Sequence, residues 1–203
     1  MSISLDQIKA LRDKTGVSIT ACKKALEEAN GDEAKAVELL RKKGEAKAAA
    51  REDRSTHEGV IAYSGNYSKV VIMKLLCETD FVAKTEGFSE LAHNLAMQIA
   101  ATNPISLDKE TIDDKLVSRE KKIFTEQAKE EGKPDDIIPR MVEGRLNKFF
   151  QENCLLEQAY IKDPDKKVND LLTESIATLG ENISINRFVR FSIGESDPTN
   201  GQV

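Results

Sequence analysis

Lys69-Val-Val-Ile-Met-Lys-Leu-Leu-Cys77-Glu-Thr-Asp-Phe-Val-Ala-Lys84 decides the reading of the fold, because three kinds of local order meet in it. Residues 69–77 form a near-continuous run of β-branched and apolar side chains, the pattern of a central strand. Thr79 and Asp80 follow, and either side chain can cap a helix whose first N–H groups lack partners. Downstream, Phe88, Leu91, Ala92, Leu95, Ala96 and Ile99 recur at helical intervals until Asn103-Pro104 ends them. A strand, a sharp turn and a helix are therefore expected, with Phe81, on the residues alone, a core residue in the turn.

The strand has a partner upstream. Gly59-Val-Ile-Ala-Tyr63 is rich in strand formers, and Ser64-Gly65-Asn66 supplies turn chemistry, so a β-hairpin is expected. Before it, the first 44 residues read as three short helices. Ser4, with Gln7 in capping-box spacing, opens the first, and Leu5, Ile8 and Leu11 give it an apolar stripe before Gly16. Ser18 caps the second, carrying Cys22, Ala25, Leu26 and Ala29 up to Asn30-Gly31. Asp32 caps the third, carrying Ala36, Val37, Leu39 and Leu40, with Gly44 as its closing residue. The pattern resembles a ubiquitin-associated-like bundle. Residues 45–56 contain no large apolar side chain and read as a helical or flexible linker.

After the hairpin and its helix, a more polar helix is expected from about Ile112 to Glu131. Another follows Gly132, with Ile138, Met141, Val142, Leu146, Phe149 and Phe150 on one face. An interior proline costs roughly 3 kcal/mol, so that helix starts or kinks at Pro139. A last helix carries Val168, Leu171, Leu172, Ile176 and Leu179 up to Gly180. A final strand over 183–193 sets Ile183, Ile185, Val189, Phe191 and Ile193 on one side, with Arg187 the exception. The expected class is α+β, in four parts. Residues 1–44 make the ubiquitin-associated-like helical domain and 45–56 the linker. Residues 57–194 make a core of a small antiparallel sheet covered by helices, and 195–203 a disordered tail.

Charge separates the parts. Residues 1–56 carry a net charge of +2 and the remainder −7, within a total of −5. An acidic body is a poor surface for phosphate backbones, so a protein partner is expected and direct nucleic-acid binding is not. No apolar run is long enough to cross a bilayer, and the start lacks the basic and apolar regions of a signal peptide. Cys22, Cys77 and Cys154 are widely spaced and odd in number, which fits a reducing cytoplasm rather than a disulfide framework or a zinc site.

Catalytic chemistry has little to stand on. The two histidines, His57 and His93, read as solvated, and a Cys77–His93 dyad would rest on spacing alone. Phosphate-cradling glycine loops, HExxH, GxSxG and metal-ligand clusters are missing from the sequence. The reading is a binding protein with no catalytic residues, no metal and no cofactor.

Taken with its context, the turn is more specific. Cys77-Glu-Thr-Asp-Phe-Val-Ala-Lys84 resembles the hallmark motif of the elongation factor Ts family. Leu11-Arg-Asp-Lys-Thr-Gly16 and Cys22-Lys-Lys-Ala-Leu-Glu-Glu-Ala-Asn-Gly-Asp32 resemble its N-terminal run. Glu143-Gly-Arg-Leu-Asn-Lys-Phe149, Leu155-Leu-Glu-Gln158, Lys162-Asp-Pro164 and Arg187-Phe-Val-Arg-Phe191 match further blocks in the family's order. The resemblance implies a guanine-nucleotide exchange factor of translation elongation that binds elongation factor Tu and promotes GDP release.

It implies that Thr79, Asp80, Phe81 and Val82 enter the partner's GTPase domain near its magnesium site. It implies contacts of Arg12, Ile19 and Lys23 with the same domain. The family's glycine and paired methionines after the first helix are replaced by Val17-Ser-Ile-Thr-Ala21, which alters that second contact. The chain resembles the short form, without the second core repeat and coiled-coil insertion, so a homodimer is expected, with strand 183–193 as a candidate seam. An adaptor that binds through its first domain is the competing reading, and it leaves the 79–82 stretch unexplained.

Overall fold

The computed structural model describes residues 3–194; the expected tail over 195–203 lies outside them. Helix α1 spans Leu5–Thr15 and begins with the reciprocal capping box. The Ser4 hydroxyl oxygen accepts the Gln7 N–H at 3.2 Å, and the Ser4 N–H donates to the Gln7 side chain at 3.0 Å. Gly16, with φ of 66°, turns the chain out of α1 in the left-handed region. Helix α2, Ile19–Glu28, is capped by Ser18, and helix α3, Glu33–Ala49, by Asp32. Ile8, Leu11, Cys22, Leu26, Ala36 and Leu40 are buried together, so the three helices share one small core.

Gly44 does not end α3. The helix runs through it to Ala49 and takes the first five of the twelve residues read as a linker. An interior glycine costs about 1 kcal/mol of helix propensity, and Glu45-Ala-Lys-Ala-Ala49, all strong helix formers, offsets that cost.

Strands β1 (Glu58–Gly65) and β2 (Lys69–Cys77) form the expected hairpin. Gly59 is the residue the pairing requires there: a Cβ on it would lie 2.0 Å from the Leu75 carbonyl oxygen. A one-turn helix, α4 (Asp80–Ala83), precedes α5 (Glu86–Thr102). Helices α6 (Asp114–Glu130) and α7 (Ile138–Asn153) form an antiparallel pair around Ala128, Ile138 and Val142. Pro139 sits in the first turn of α7, where no intrahelical N–H is lost.

Two short strands follow a 3-10 turn at Leu155–Glu157: β3 (Ala159–Tyr160) and β4 (Asp163–Lys167), paired antiparallel. The sequence reading missed them. Asp163-Pro-Asp-Lys-Lys167 has no strand propensity, and the hairpin is held instead by a buried glutamine. Gln98 donates to the side chain of Gln158 and the carbonyl of Ala159, and accepts the Ile161 N–H at 2.8 Å. Helix α8 (Val168–Leu179) leads to β5 (Ile183–Ser192).

The main sheet has the order β1-β2-β5, with β2 central as its sequence indicates. Val71, Met73, Leu75 and Cys77 alternate inward on β2 and are buried. The described residues divide into two compact units: 3–61 with 74–92 and 172–186, and 62–73 with 93–171 and 187–194. In the second unit, Tyr63 and Ile72 are 74% and 44% exposed, and Phe191 and Ile193 are 47% and 79% exposed. The alternation expected for 183–193 thus splits: Ile183 and Ile185 are buried, and the far end of the strand is open.

Candidate partner-binding site

Thr79, Asp80, Phe81 and Val82 form one turn between β2 and α5, and its geometry begins with a cap. Thr79 is extended, with φ of −127° and ψ of 155°, and its hydroxyl oxygen accepts the Val82 N–H at 3.4 Å. The same hydroxyl donates to Glu181 Oε1 at 2.6 Å. The other oxygen of Glu181 accepts two main-chain N–H groups, Glu78 at 3.1 Å and Thr79 at 3.0 Å. One carboxylate from the α8–β5 connection therefore holds the turn at three points.

The bracing is reciprocal. The Glu78 carboxylate accepts the Asn182 N–H at 2.7 Å and pairs with Arg54 at 3.4 Å. The Asn182 side chain donates to the carbonyls of Glu52 and Arg54 at 3.2 and 2.8 Å. Three segments distant in sequence, 52–54, 78–79 and 181–182, are tied through charged and amide groups. Hydrogen bonds to ionised groups are the stronger kind, about 1.5–3 kcal/mol each when protected from water.

On this frame Ala83 is buried, Val82 half-buried and Phe81 80% exposed. Single exposed apolar side chains are common. The distinguishing feature of Phe81 is a bulky apolar ring on a backbone whose preceding residues are pinned. Asp80 pairs with Lys84 at 2.6 Å, and the hydrogen bond from Lys84 holds its carboxyl below the usual carboxylate range. Thr85 closes the turn, donating its hydroxyl to the Val82 carbonyl at 2.8 Å and accepting the Phe88 N–H at 3.3 Å.

Cys77 belongs to the scaffold. It is fully buried and donates its thiol to the Thr79 carbonyl at 3.2 Å. Burial, and then the Glu181 charge, push the thiol up, away from the thiolate a nucleophile needs. His57 and His93 are both exposed. Among the described residues no group of three or more His, Cys, Asp or Glu side chains is arranged to hold a metal ion. Among the same residues, no helix is long and apolar enough to cross a membrane.

The three N-terminal candidates are all exposed: Arg12 on α1, and Ile19 and Lys23 on α2. Ile19 and Lys23 lie four residues apart and so share one side of α2. Lys23 keeps a long contact of 3.8 Å with Glu27. Val17 of the altered loop is turned inward against the three-helix core, which leaves Ile19 as the apolar group on offer.

Sequence reasoning missed Glu181, Asn182 and Arg54. Nothing local marks them: Glu181 is an acidic residue after a glycine, about one hundred positions from the turn it braces. Glu78 stood inside the quoted motif, and its role as an acceptor emerges only once Asn182 is beside it.

Comparison with known proteins agrees with this architecture. The model of the family described as Elongation factor TS matches residues 89–195. The elongation factor Ts of Thermosipho melanesiensis is 50% identical over 195 residues, covering 95% of this chain and 100% of that protein. That of Oleidesulfovibrio alaskensis is 51% identical over 195 residues, covering 95% and 98%. That of Thermotoga maritima is 51% identical over 197 residues, covering 96% and 98%. The chain is therefore of the same extent as these relatives. The 79–82 turn precedes the family-model match, and Glu181 and Asn182, which brace it, fall within it.

Proposed function

This chain belongs to the elongation factor Ts family, and on that premise we propose that it is a guanine-nucleotide exchange factor that binds elongation factor Tu and promotes GDP release. The observation that carries the mechanism is Phe81, a largely exposed aromatic ring on a turn pinned by Glu181. A GTPase of this kind holds its nucleotide through main-chain donors, a lysine and a magnesium ion bridging phosphate and protein. Phe81 enters the packed shell around that site and displaces it, and Val82 backs the ring. Asp80 brings a negative charge, released from Lys84 on docking, to the edge of the magnesium site. Thr79 shapes the approach as the cap.

The energetics are those of linkage. A protein that binds the nucleotide-free partner more tightly than the GDP-bound one must weaken GDP by the same factor. No bond is made or broken by this chain, and it needs no cofactor of its own. Residues 1–44 act as a second docking module through Arg12, Ile19 and Lys23, followed by the linker at 45–56 and the core at 57–194. The cytoplasm is the working compartment, and nucleic acid is not a direct partner.

The chain works as a homodimer. Support comes from Tyr63, Ile72 and Phe191, apolar side chains left open on the three-stranded sheet, and Ile193 just past its last strand, which a second copy would cover.

The test is release of fluorescent GDP from preloaded elongation factor Tu. Strong acceleration by wild type that falls with Phe81→Ala supports the reading. Absence of acceleration by folded wild type overturns it.

A further inference from the structure

We infer that Glu181 is a positioning residue for exchange: its carboxylate presets the direction of Phe81, and the turn without it is too short to hold itself. The inference rests on the wedge reading above and adds the group that makes the wedge stiff.

The physical problem is the size of α4. Four residues form one turn, and helix nucleation is unfavourable until several hydrogen bonds follow it. Phe81 cannot anchor the turn, because its ring is in solvent. Val82 is only half-buried and Ala83 is small. Fixed orientation must therefore come from the backbone entering the turn, and Glu181 binds that backbone at both consecutive N–H groups and at the cap hydroxyl.

The two oxygens divide the work. Oε2 takes the N–H groups of Glu78 and Thr79, which fixes the peptide plane between them. Oε1 takes the Thr79 hydroxyl, which orients the cap toward the Val82 N–H. Glu181 is itself fixed, since the next residue, Asn182, donates to Glu78, Glu52 and Arg54. A wedge delivers its binding energy to the partner only if it does not relax on contact, and a loose ring would lose orientation instead of displacing the packed shell.

Glu181→Ala removes all three acceptors. Glu181→Gln keeps one oxygen for the two N–H groups, and its amide can donate to the Thr79 oxygen, so geometry survives with less strength. Exchange acceleration is expected to fall by at least about tenfold in Glu181→Ala, the scale of a misplaced positioning group, and to be largely retained in Glu181→Gln.

A merely structural role is separated by combining Glu181→Ala with Phe81→Ala. If Glu181 acts through Phe81, the penalty of Phe81→Ala shrinks in the Glu181→Ala background. An undiminished Phe81→Ala penalty there overturns the inference. Should Glu181→Ala fail to fold, Glu181→Asp, whose side chain is one methylene too short to serve both N–H groups and the hydroxyl together, carries the same cycle and the same criterion.

Amide hydrogen exchange of Glu78 and Thr79 in the free protein reads the brace without the partner. Fast exchange in Glu181→Ala together with a lost Phe81 penalty supports the inference. Unchanged protection overturns it whatever the GDP assay gives. Lost protection in a protein whose wild type never accelerates GDP release leaves the brace standing and places the failure in the exchange reading.

Discussion

Lys84 reaches back along the turn to place its ammonium 2.6 Å from the Asp80 carboxylate. The hydrogen bond and the lysine's charge both favour the ionised carboxylate, and the carboxylate in turn raises the lysine. Both groups are solvent-accessible, so the pair is easily parted by a competing partner. Asp80 is thus anionic and held in readiness, with a counter-charge that can swing away.

Replacing Lys84 by methionine should raise the Asp80 pKa toward its ordinary value, read by NMR titration of the side-chain carboxyl carbon. The sign for stability follows from the lowered carboxyl and the raised ammonium. The pair helps the folded state between the ordinary pKa values of the two groups, about 3.9 and about 10.4. Its contribution fades as acid protonates Asp80 through its lowered folded-state pKa, and as base deprotonates Lys84 through its raised one. The difference in melting temperature between wild type and Lys84→Met should be small at neutral pH and vanish in acid. An Asp80 titration unchanged by the substitution would contradict the assigned cause.

Phe81→Ala should leave stability within about 0.5 kcal/mol of wild type, because the ring has little packing to lose in the free protein. Exchange acceleration should fall about thirtyfold, the cost of deleting an aromatic anchor worth about 2 kcal/mol at an interface. Urea unfolding beside the GDP-release assay checks both halves. A large loss of stability would show that the ring is a core residue and not a wedge.

Gly44 offers a stabilising substitution. It lies inside α3, and a Cβ there would be 3.5 Å from the Ala177 Cβ, an ordinary contact. Gly44→Ala should raise stability by about 0.5–1 kcal/mol through helix propensity. Gly44→Phe has no such room and should destabilise. Chemical denaturation of the two variants decides; a destabilised alanine variant would mean that α3 needs the glycine there.

The open apolar side chains of the sheet should be silent in a monomer and central in a dimer. Tyr63→Glu with Ile72→Glu is expected to convert a dimer to a folded monomer, measured by sedimentation equilibrium, because a new charge would be buried without a counterpart. Wild type that sediments as a monomer at high micromolar concentration rules the dimer out.

The legible features were those written in short spacings. The capping box of Ser4 and Gln7, the caps at Ser18 and Asp32, and Pro139 in the first turn of α7 are properties of neighbours three or four residues apart. The position of β2 in the middle of the sheet was equally legible, because a near-continuous apolar run demands cover. The end of α3 was not. A glycine signals a helix terminus by its conformational freedom, but five good helix formers beyond it outweigh that signal, and the balance is a matter of small energies.

The sequence by itself determined the family resemblance, the helix starts at Ser4, Ser18 and Asp32, the hairpin and the residues of the turn, since the local elements depend on interactions closed within a few positions. Tertiary structure alone decided that Glu181 holds Thr79 and that Gln98 holds the β3–β4 hairpin. It also decided that Phe191 and Ile193 face solvent while Ile183 and Ile185 do not. Those facts depend on which distant segments meet. A carboxylate one hundred residues away carries no local mark of the N–H groups it will accept, and an apolar side chain carries no mark of whether its cover lies in its own chain.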